Sequence, residues 1–258
     1  MSALAVEYKN RLDKLVDEMN DAILAWAKED YKSIEIAQDA SPVEFINNTL
    51  NDLREKWQKK FDDVSKKFAR MLADRILKHS DVALSSKFRS LGLVVDFQMT
   101  DRMKIALESV VDENVGLIRS IPSQYFDQIE SLVMTSIGRG RDTAWLTEQL
   151  KNRFGATKKR AAFIARDQNN KATSIIQSAR QRDIGIKEGM WRHSGAGKNP
   201  RKSHQKAGRD RVKFDLLRGA YIDGEYILPG EKPNCSCTWS AVIPGFLTRY
   251  RDGKTTGS

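Results

Sequence analysis

Apolar residues recur at intervals of three and four through most of the first 140 residues, and this periodicity limits the chain to a largely helical start. The pattern predicts one amphipathic helix over residues 4–31 and a second, longer helix from Pro42 to Ile76. Pro42 is well placed for a helix start, because proline is favoured in the first turn. Gly92 and Pro122 are expected to interrupt the helical segments that follow.

A further set of helical signals predicts a pair of helices between residues 142 and 182. Residues 143–154 form one amphipathic pattern, Gly155 is suited to end it in the left-handed conformation, and Thr157 is suited to cap a second helix from Lys158. A short turn of this kind occurs in DNA-reading helix-turn-helix motifs and in ordinary αα-hairpins. The sequence favours the ordinary hairpin.

The composition changes after Gly185, where Gly, Pro, Trp and Tyr become frequent and helical periodicity ends. Asp223-Gly224 lies between two short apolar segments, which is typical of a β-hairpin. The predicted fold class is therefore α+β: a mainly α-helical N-terminal region, then a helix pair and a small β-rich C-terminal module. The predicted divisions are a helical region over 1–140, a second module over 141–246 and a flexible tail over 247–258.

Basic charge is concentrated in about one third of the chain. The whole chain carries a net charge of +10, but residues 139–218 contain 21 Lys and Arg against 7 Asp and Glu, a net charge of +14. Such a stretch can release counterions from phosphate or dock on an acidic protein surface. The candidate contact residues are Lys158, Lys159, Arg160, Arg166, Arg201 and Lys202.

The sequence also indicates the compartment in which the chain is made. No apolar run approaches the length of a membrane helix, and charges are mixed through the N-terminus, so neither a membrane span nor a secretory signal is expected. Cys235 and Cys237 are the only cysteines and cannot form a framework of long-range disulfides. These features predict synthesis in the cytoplasm.

Four side chains of the types that bind zinc occur in the C-terminal module: His193, His204, Cys235 and Cys237. A small module with few core residues would gain stability from a structural zinc ion. Paired zinc cysteines are usually separated by about two to four residues, whereas a single residue separates Cys235 from Cys237. On a β-strand, however, the side chains of these two cysteines would point the same way. The alternative is a pair of packed cysteines with two solvent-facing histidines and no metal.

A metal-dependent nuclease is the sharpest enzymatic interpretation. Its candidate residues would be His193, His204, Asp210 and Asp215, which lie in basic surroundings. The sequence shows no paired carboxylates at a recognised nuclease spacing, no phosphate-binding loop, no dinucleotide fingerprint and no nucleophile elbow. We therefore predict no catalysis.

An ordered series of residues between about 143 and 246 carries a family resemblance. It begins with residues 146–155 and 160–170, continues through Gly185, Trp191, Arg201, His204, Gly208 and Phe214, and closes with residues 229–231 and 234–237. In this order they resemble the phage Mu protein F-like head morphogenesis family of minor capsid proteins. Asp167-Gln168 stand where the family often has Thr-Glu, and Ser236 stands where its common motif has Arg.

The resemblance implies a minor head protein of a tailed bacteriophage, associated with the portal and acting in head assembly and in DNA packaging or delivery. The expected partners are the portal protein, other phage head proteins and packaged DNA, with no membrane. The expected location is the virion head near the portal vertex, after synthesis in the host cytoplasm. The alternative is a phage-encoded DNA-binding protein or metal-dependent nuclease.

Overall fold

The computed structural model describes residues 2–33, 42–195 and 199–243, so the predicted tail over 247–258 lies outside the described residues. Long helices come first and short strands follow. In chain order the elements are α1 (Ala3–Ser33), α2 (Pro42–Arg89), α3 (Asp101–Gly138), α4 (Thr143–Asp183), β1 (Glu188–Arg192), α5 (Lys202–Arg209), β2 (Lys213–Asp215), β3 (Ala220–Ile222), β4 (Glu225–Ile227) and β5 (Thr238–Val242).

This order confirms the predicted α+β class. Among the described residues, no helix combines the length and the hydropathy that a membrane span requires. The predicted helix over 4–31 is confirmed by α1, and Pro42 is indeed the first residue of α2. The break at Gly92 is also confirmed, since this residue has φ 76° just beyond the end of α2.

The predicted break at Pro122 is wrong, because Pro122 lies inside the continuous helix α3. Proline removes one backbone donor and disturbs the carbonyls of the preceding turn. The side chain of Gln58 donates to the Arg119 carbonyl in that turn at 3.3 Å. Ile118 and Ile121 on the same turn are buried. Packing and this side-chain hydrogen bond therefore keep α3 intact where the local signal predicts an end.

The predicted helix pair over 142–182 is also wrong, because α4 runs through Gly155 without interruption. Thr157 does not cap a new helix; its hydroxyl donates to the Arg153 carbonyl one turn earlier, at 3.0 Å. The buried residues Leu150, Thr157 and Ala161 stay in helical phase across the glycine. A continuous buried face thus outweighs the local stop signal, and neither an αα-hairpin nor a helix-turn-helix is present at this position.

The chain forms two compact units, each assembled from two segments. The first unit comprises Met1–Leu72 and Val111–Arg166, and the second comprises Ala73–Val110 and Asp167–Ser258. The helices α2, α3 and α4 each contribute residues to both units. The division of the chain at residues 140 and 246 stays a prediction.

Buried tyrosines fix the register of helices in the first unit. Three tyrosine hydroxyls donate hydrogen bonds between α1 and α3: Tyr8 to Asn114 at 3.1 Å, Tyr125 to Asn20 at 3.1 Å and Tyr31 to Ser136 at 3.0 Å. The residue numbers in these pairs increase together along both helices, so α1 and α3 run parallel. Burial raises the pKa values of Tyr8 and Tyr125, so both hydroxyls stay protonated as donors.

The second unit contains the β-rich module and its core. An antiparallel sheet has the strand order β2-β1-β5, with Trp191 of β1 opposite Trp239 of β5. The predicted hairpin is confirmed by β3 and β4, which Asp223 and Gly224 join with φ 54° and 87°. The fully buried Trp191 packs in a core with Leu216 and residues from the end of α2.

Candidate metal centre

The structure brings three of the four predicted zinc ligands, His204, Cys235 and Cys237, into one cluster within the second unit, and places His193 beside Cys237 but outside that cluster. His193 follows the end of β1, His204 lies in the short helix α5, and Cys235 and Cys237 lie in the segment that leads into β5. The Nδ1 atom of His204 is 3.4 Å from the Cys235 sulfur and 3.8 Å from the Cys237 sulfur. The Nδ1 atom of His193 is 3.5 Å from the Cys237 sulfur.

These separations match those between the ligands of a tetrahedral zinc ion. Bonds of about 2.3 Å to sulfur and about 2.1 Å to nitrogen place the two ligand atoms about 3.6 Å apart. The ligand atoms of His204, Cys235 and Cys237 all lie within 4.8 Å of one another. This cluster could therefore bind a metal ion, and His193 is positioned at its edge beside Cys237.

The single residue between the cysteines explains why both sulfurs reach the same place. Residues two apart can place their side chains on the same side: both cysteine sulfurs lie beside His204, whereas the Ser236 side chain between them points to another side. On that other side the Ser236 hydroxyl accepts a hydrogen bond from Asn170 of α4 at 3.3 Å. The short spacing, which argues against zinc in the sequence, is thus accommodated by the local backbone.

The cluster is enclosed by protein. His204 is 3% exposed, Cys235 4% and Cys237 5%, while His193 is half-buried. The edge of the His204 ring meets the Trp191 ring, with 5.2 Å between ring centroids and 77° between planes. The predicted alternative of solvent-facing histidines is therefore wrong for His204.

Backbone N–H groups approach both sulfurs. The Gly230 N–H donates to the Cys235 sulfur at 3.4 Å. The hydrogen bond with Cys235 and burial raise the pKa of Cys237, and the backbone N–H of Ser194 opposes this rise by favouring the thiolate. Such donors stabilise a thiolate, which is the form that binds a metal.

The two thiols influence each other strongly. The hydrogen bond from the Cys237 thiol lowers the pKa of Cys235, with further help from the backbone N–H groups of Cys237 and Gly230. The same hydrogen bond and burial raise the pKa of Cys237. The two thiols therefore do not lose their protons independently, and a metal cation at this place would require both as thiolates.

Helix α4 contacts the cysteine-bearing segment through residues that were not among the predicted ligands. Asp167 accepts a hydrogen bond from the Asn234 N–H at 2.8 Å, and Asn170 donates to the Cys235 carbonyl at 3.0 Å. One turn further, Ser174 donates to the Pro229 carbonyl. Asp167 and Asn170 are part of the family resemblance, which was the only sequence signal that pointed to them.

A glycine brings α5 close to the end of β1. A Cβ atom on Gly208 would lie 2.5 Å from the Cβ and 2.7 Å from the backbone nitrogen of His193. Only glycine allows the two segments to approach this closely. Gly208 therefore contributes to the placement of His193 beside Cys237.

The two carboxylates of the nuclease interpretation have other partners. Asp210 lies at the exposed end of α5 and pairs with Lys206 at 2.6 Å, and that hydrogen bond lowers its pKa. Asp215 accepts from the backbone N–H groups of Leu217 and Arg218 at 2.7 Å and 3.0 Å. The structure therefore does not bring these carboxylates into the histidine and cysteine cluster.

The six predicted basic contact residues are distributed over both units. In the first unit, Lys158 pairs with Asp17 at 2.8 Å and Arg160 donates to Ser120 at 2.8 Å. Lys159 and Arg166 are exposed on the same helix. In the second unit, Arg201 and Lys202 are exposed at the start of α5, where Arg201 also donates to the Pro233 carbonyl at 3.1 Å.

Comparison with known proteins adds a family relationship. Residues 127–240 match the model of the family described as Phage Mu protein F like protein. A Haemophilus influenzae protein (strain Rd KW20), called only an uncharacterized protein, is 37% identical over 166 residues. The alignment covers 64% of this chain but only 36% of that relative. No solved structure matches the chain significantly. The family model confirms the predicted resemblance: residues 127–240 of this chain are similar to the Phage Mu protein F like family.

Proposed function

We propose that the chain is a minor head protein of a tailed bacteriophage, which associates with the portal and acts in head assembly and in DNA packaging or delivery. The observation that carries the proposal is the match of residues 127–240 to the Phage Mu protein F like family. Similarity to this family suggests a phage head morphogenesis protein. The proposed location is the virion head, and the proposed partners are the portal and other head proteins.

The concentration of basic charge supports a polyanionic or acidic partner. Residues 139–218 carry a net charge of +14, and the exposed Lys159 and Lys202 lie within that stretch. Packaged DNA and an acidic surface of the portal would both be attracted to it. If DNA is the partner, affinity for duplex DNA falls steeply between 50 and 200 mM salt, by about 10³-fold for about six phosphate contacts.

We further propose that the C-terminal module holds one structural zinc ion through His193, His204, Cys235 and Cys237. The ligand separations and the N–H donors around the sulfurs support this choice. Four protein ligands leave no coordination position for a substrate or a water molecule, which is the arrangement of structural rather than catalytic zinc. The proposed role of the ion is to stabilise the module, and the chain as a whole is proposed not to be an enzyme.

The decisive experiment uses the phage or prophage that encodes the chain. Density-gradient-purified heads are analysed by quantitative mass spectrometry, and a strain lacking the gene is compared with the same strain carrying it on a plasmid. The proposal expects the protein in purified heads at far fewer copies than the major capsid protein, and defective heads in its absence. Normal heads in the deletion strain, or heads free of the protein, would refute it.

A nuclease assay separates the alternative. Purified protein is incubated with supercoiled plasmid in Mg²⁺, Mn²⁺ or Zn²⁺, alongside the His204→Ala variant. We expect no cleavage by either protein. Cleavage by the wild type that disappears in the variant would favour the metal-dependent nuclease instead.

A further inference from the structure

The segment that carries both proposed cysteine ligands has little regular structure of its own. Between β4 and β5, residues 228–237 form turns and irregular backbone, in which Gly230 and Asn234 adopt φ values of 91° and 59°. Backbone hydrogen bonds of its own occur within this segment, such as that from Cys235 N–H to the Lys232 carbonyl at 2.9 Å. Contacts from outside the segment add to these local turns in fixing the direction of the two sulfurs.

One face of α4 contacts the segment at three successive positions. Asp167, Asn170 and Ser174 are spaced by three and four residues, so they lie on the same side of the helix. They bond respectively to the Asn234 N–H, to the Cys235 carbonyl and to the Pro229 carbonyl. Every one of these contacts is from a side chain of the helix to the backbone of the segment.

The contacts of Asn170 act directly on the Cys-Ser-Cys sequence. Its amide donates to the carbonyl of Cys235 and, at 3.3 Å, to the hydroxyl of Ser236. Holding a carbonyl and the next side chain together fixes the backbone between the two cysteines. This stretch of backbone carries both sulfurs that lie beside His204.

We propose that Asp167 and Asn170 are positioning residues for the metal centre, which orient the cysteine-bearing segment so that both sulfurs face His204 before a metal binds. The inference rests on the proposed zinc site and adds to it the residues that organise it. Residues that orient metal ligands without touching the ion commonly contribute about 10- to 100-fold to metal affinity. Asn170→Ala is therefore expected to weaken zinc binding while leaving all four ligands in place.

A matched control is available on the same helix. Ser178 is a buried residue of α4 whose hydroxyl donates to the Leu216 carbonyl at 2.5 Å, outside residues 228–237. Ser178→Ala therefore removes a hydrogen bond of the same kind, from a side chain of α4 to a backbone carbonyl of the second unit, without touching the cysteine-bearing segment. The urea midpoint of each variant is measured in the presence of a chelator, so that loss of stability is known separately from loss of metal affinity.

Zinc affinity of the full chain is measured by competition with a chromophoric chelator, and Co²⁺ is added in parallel to record its thiolate absorption bands. We expect Asn170→Ala to bind zinc about 10- to 100-fold more weakly with altered Co²⁺ bands, and Ser178→Ala to bind zinc as the wild type does. Equal zinc affinities in the two variants would overturn the positioning role. Absence of stoichiometric zinc binding by the wild type would instead refute the zinc site itself.

A second pair of variants guards against a failure of Asn170→Ala to fold. Asp167→Asn keeps an oxygen that can accept from the Asn234 N–H, whereas Asp167→Ala removes it. The positioning role expects Asp167→Asn to restore most of the zinc affinity that Asp167→Ala loses. If both variants bind zinc as the wild type does, Asp167 has no such role and the inference fails.

Discussion

Replacing Gly155 with alanine tests whether α4 is one helix or two. Gly155 lies inside α4 without a positive φ, and a Cβ atom added there would meet nothing within 4 Å. Glycine in a helix interior is less favourable than alanine by about 0.5–1 kcal/mol, so Gly155→Ala is expected to raise the free energy of unfolding by about that amount. If Gly155 instead ended a helix in the left-handed conformation, alanine would cost about 1–2 kcal/mol.

Two other glycines supply the matched controls. Gly116 lies inside α3 with equally open surroundings, so Gly116→Ala is expected to stabilise the protein to a similar extent. Gly185 also has nothing within 4 Å of an added Cβ, but its φ is 85°. Gly185→Ala is therefore expected to destabilise the protein by about 1 kcal/mol through backbone strain alone.

The assay is urea unfolding of the full chain, followed by the helical circular dichroism signal at 222 nm. With an unchanged slope, a shift of the midpoint reports a change in stability. The reasoning expects Gly155→Ala to shift the midpoint in the same direction as Gly116→Ala and opposite to Gly185→Ala. A midpoint for Gly155→Ala that falls with that of Gly185→Ala would refute the continuous helix.

Three further predictions concern the second unit. A chelator is expected to lower the Tm of the wild type but not that of His204→Ala, because zinc at 1,000 times its Kd adds about 4 kcal/mol to the free energy of unfolding. The control variant His79→Ala, outside the proposed metal centre, should respond to the chelator as the wild type does. Arg180→Ala breaks a part-buried bidentate pair with Asp81, at 2.7 and 3.0 Å, and should cost about 2 kcal/mol in urea unfolding; a loss below about 0.5 kcal/mol would show that the pair contributes little. Gly208→Ala should weaken zinc binding in the chelator competition by displacing His193, and an unchanged affinity would exclude His193 as a ligand.

The helices that sequence reasoning located correctly are those whose signals agree with their packing. The buried face of α1 follows the apolar spacing closely, and Pro42 starts α2 as its conformation favours. Pro122 and Gly155 were misread because their local preferences oppose the helix while the buried residues around them continue it. A local preference of about 1 kcal/mol at a glycine is small beside the burial of several apolar side chains on each turn.

The proposed metal ligands could be predicted from residue type and the proposed positioning residues could not, for a physical reason. Histidine and cysteine are recognised by type, because few side chains can bind zinc. Asp167 and Asn170 act through hydrogen bonds to backbone groups far along the chain, and a polar residue on a helix is usually a solvent-facing one. Only the fold shows that this part of α4 faces the cysteine-bearing segment.

The proposed zinc ion also offers an account of how such small elements can be stable. The β-rich module consists of strands of three to five residues and one helix of eight residues, each too short to persist alone. The proposed ligands come from three places in this chain: Cys235 is 31 residues from His204, and Cys237 is 44 residues from His193. A cross-link that closes such long loops removes more conformational freedom from the unfolded chain than one between neighbours. The hydrogen bonds from α4 and the ion would then act in sequence, since the helix orders the segment that carries the cysteines and the metal ties that segment to α5 and the end of β1.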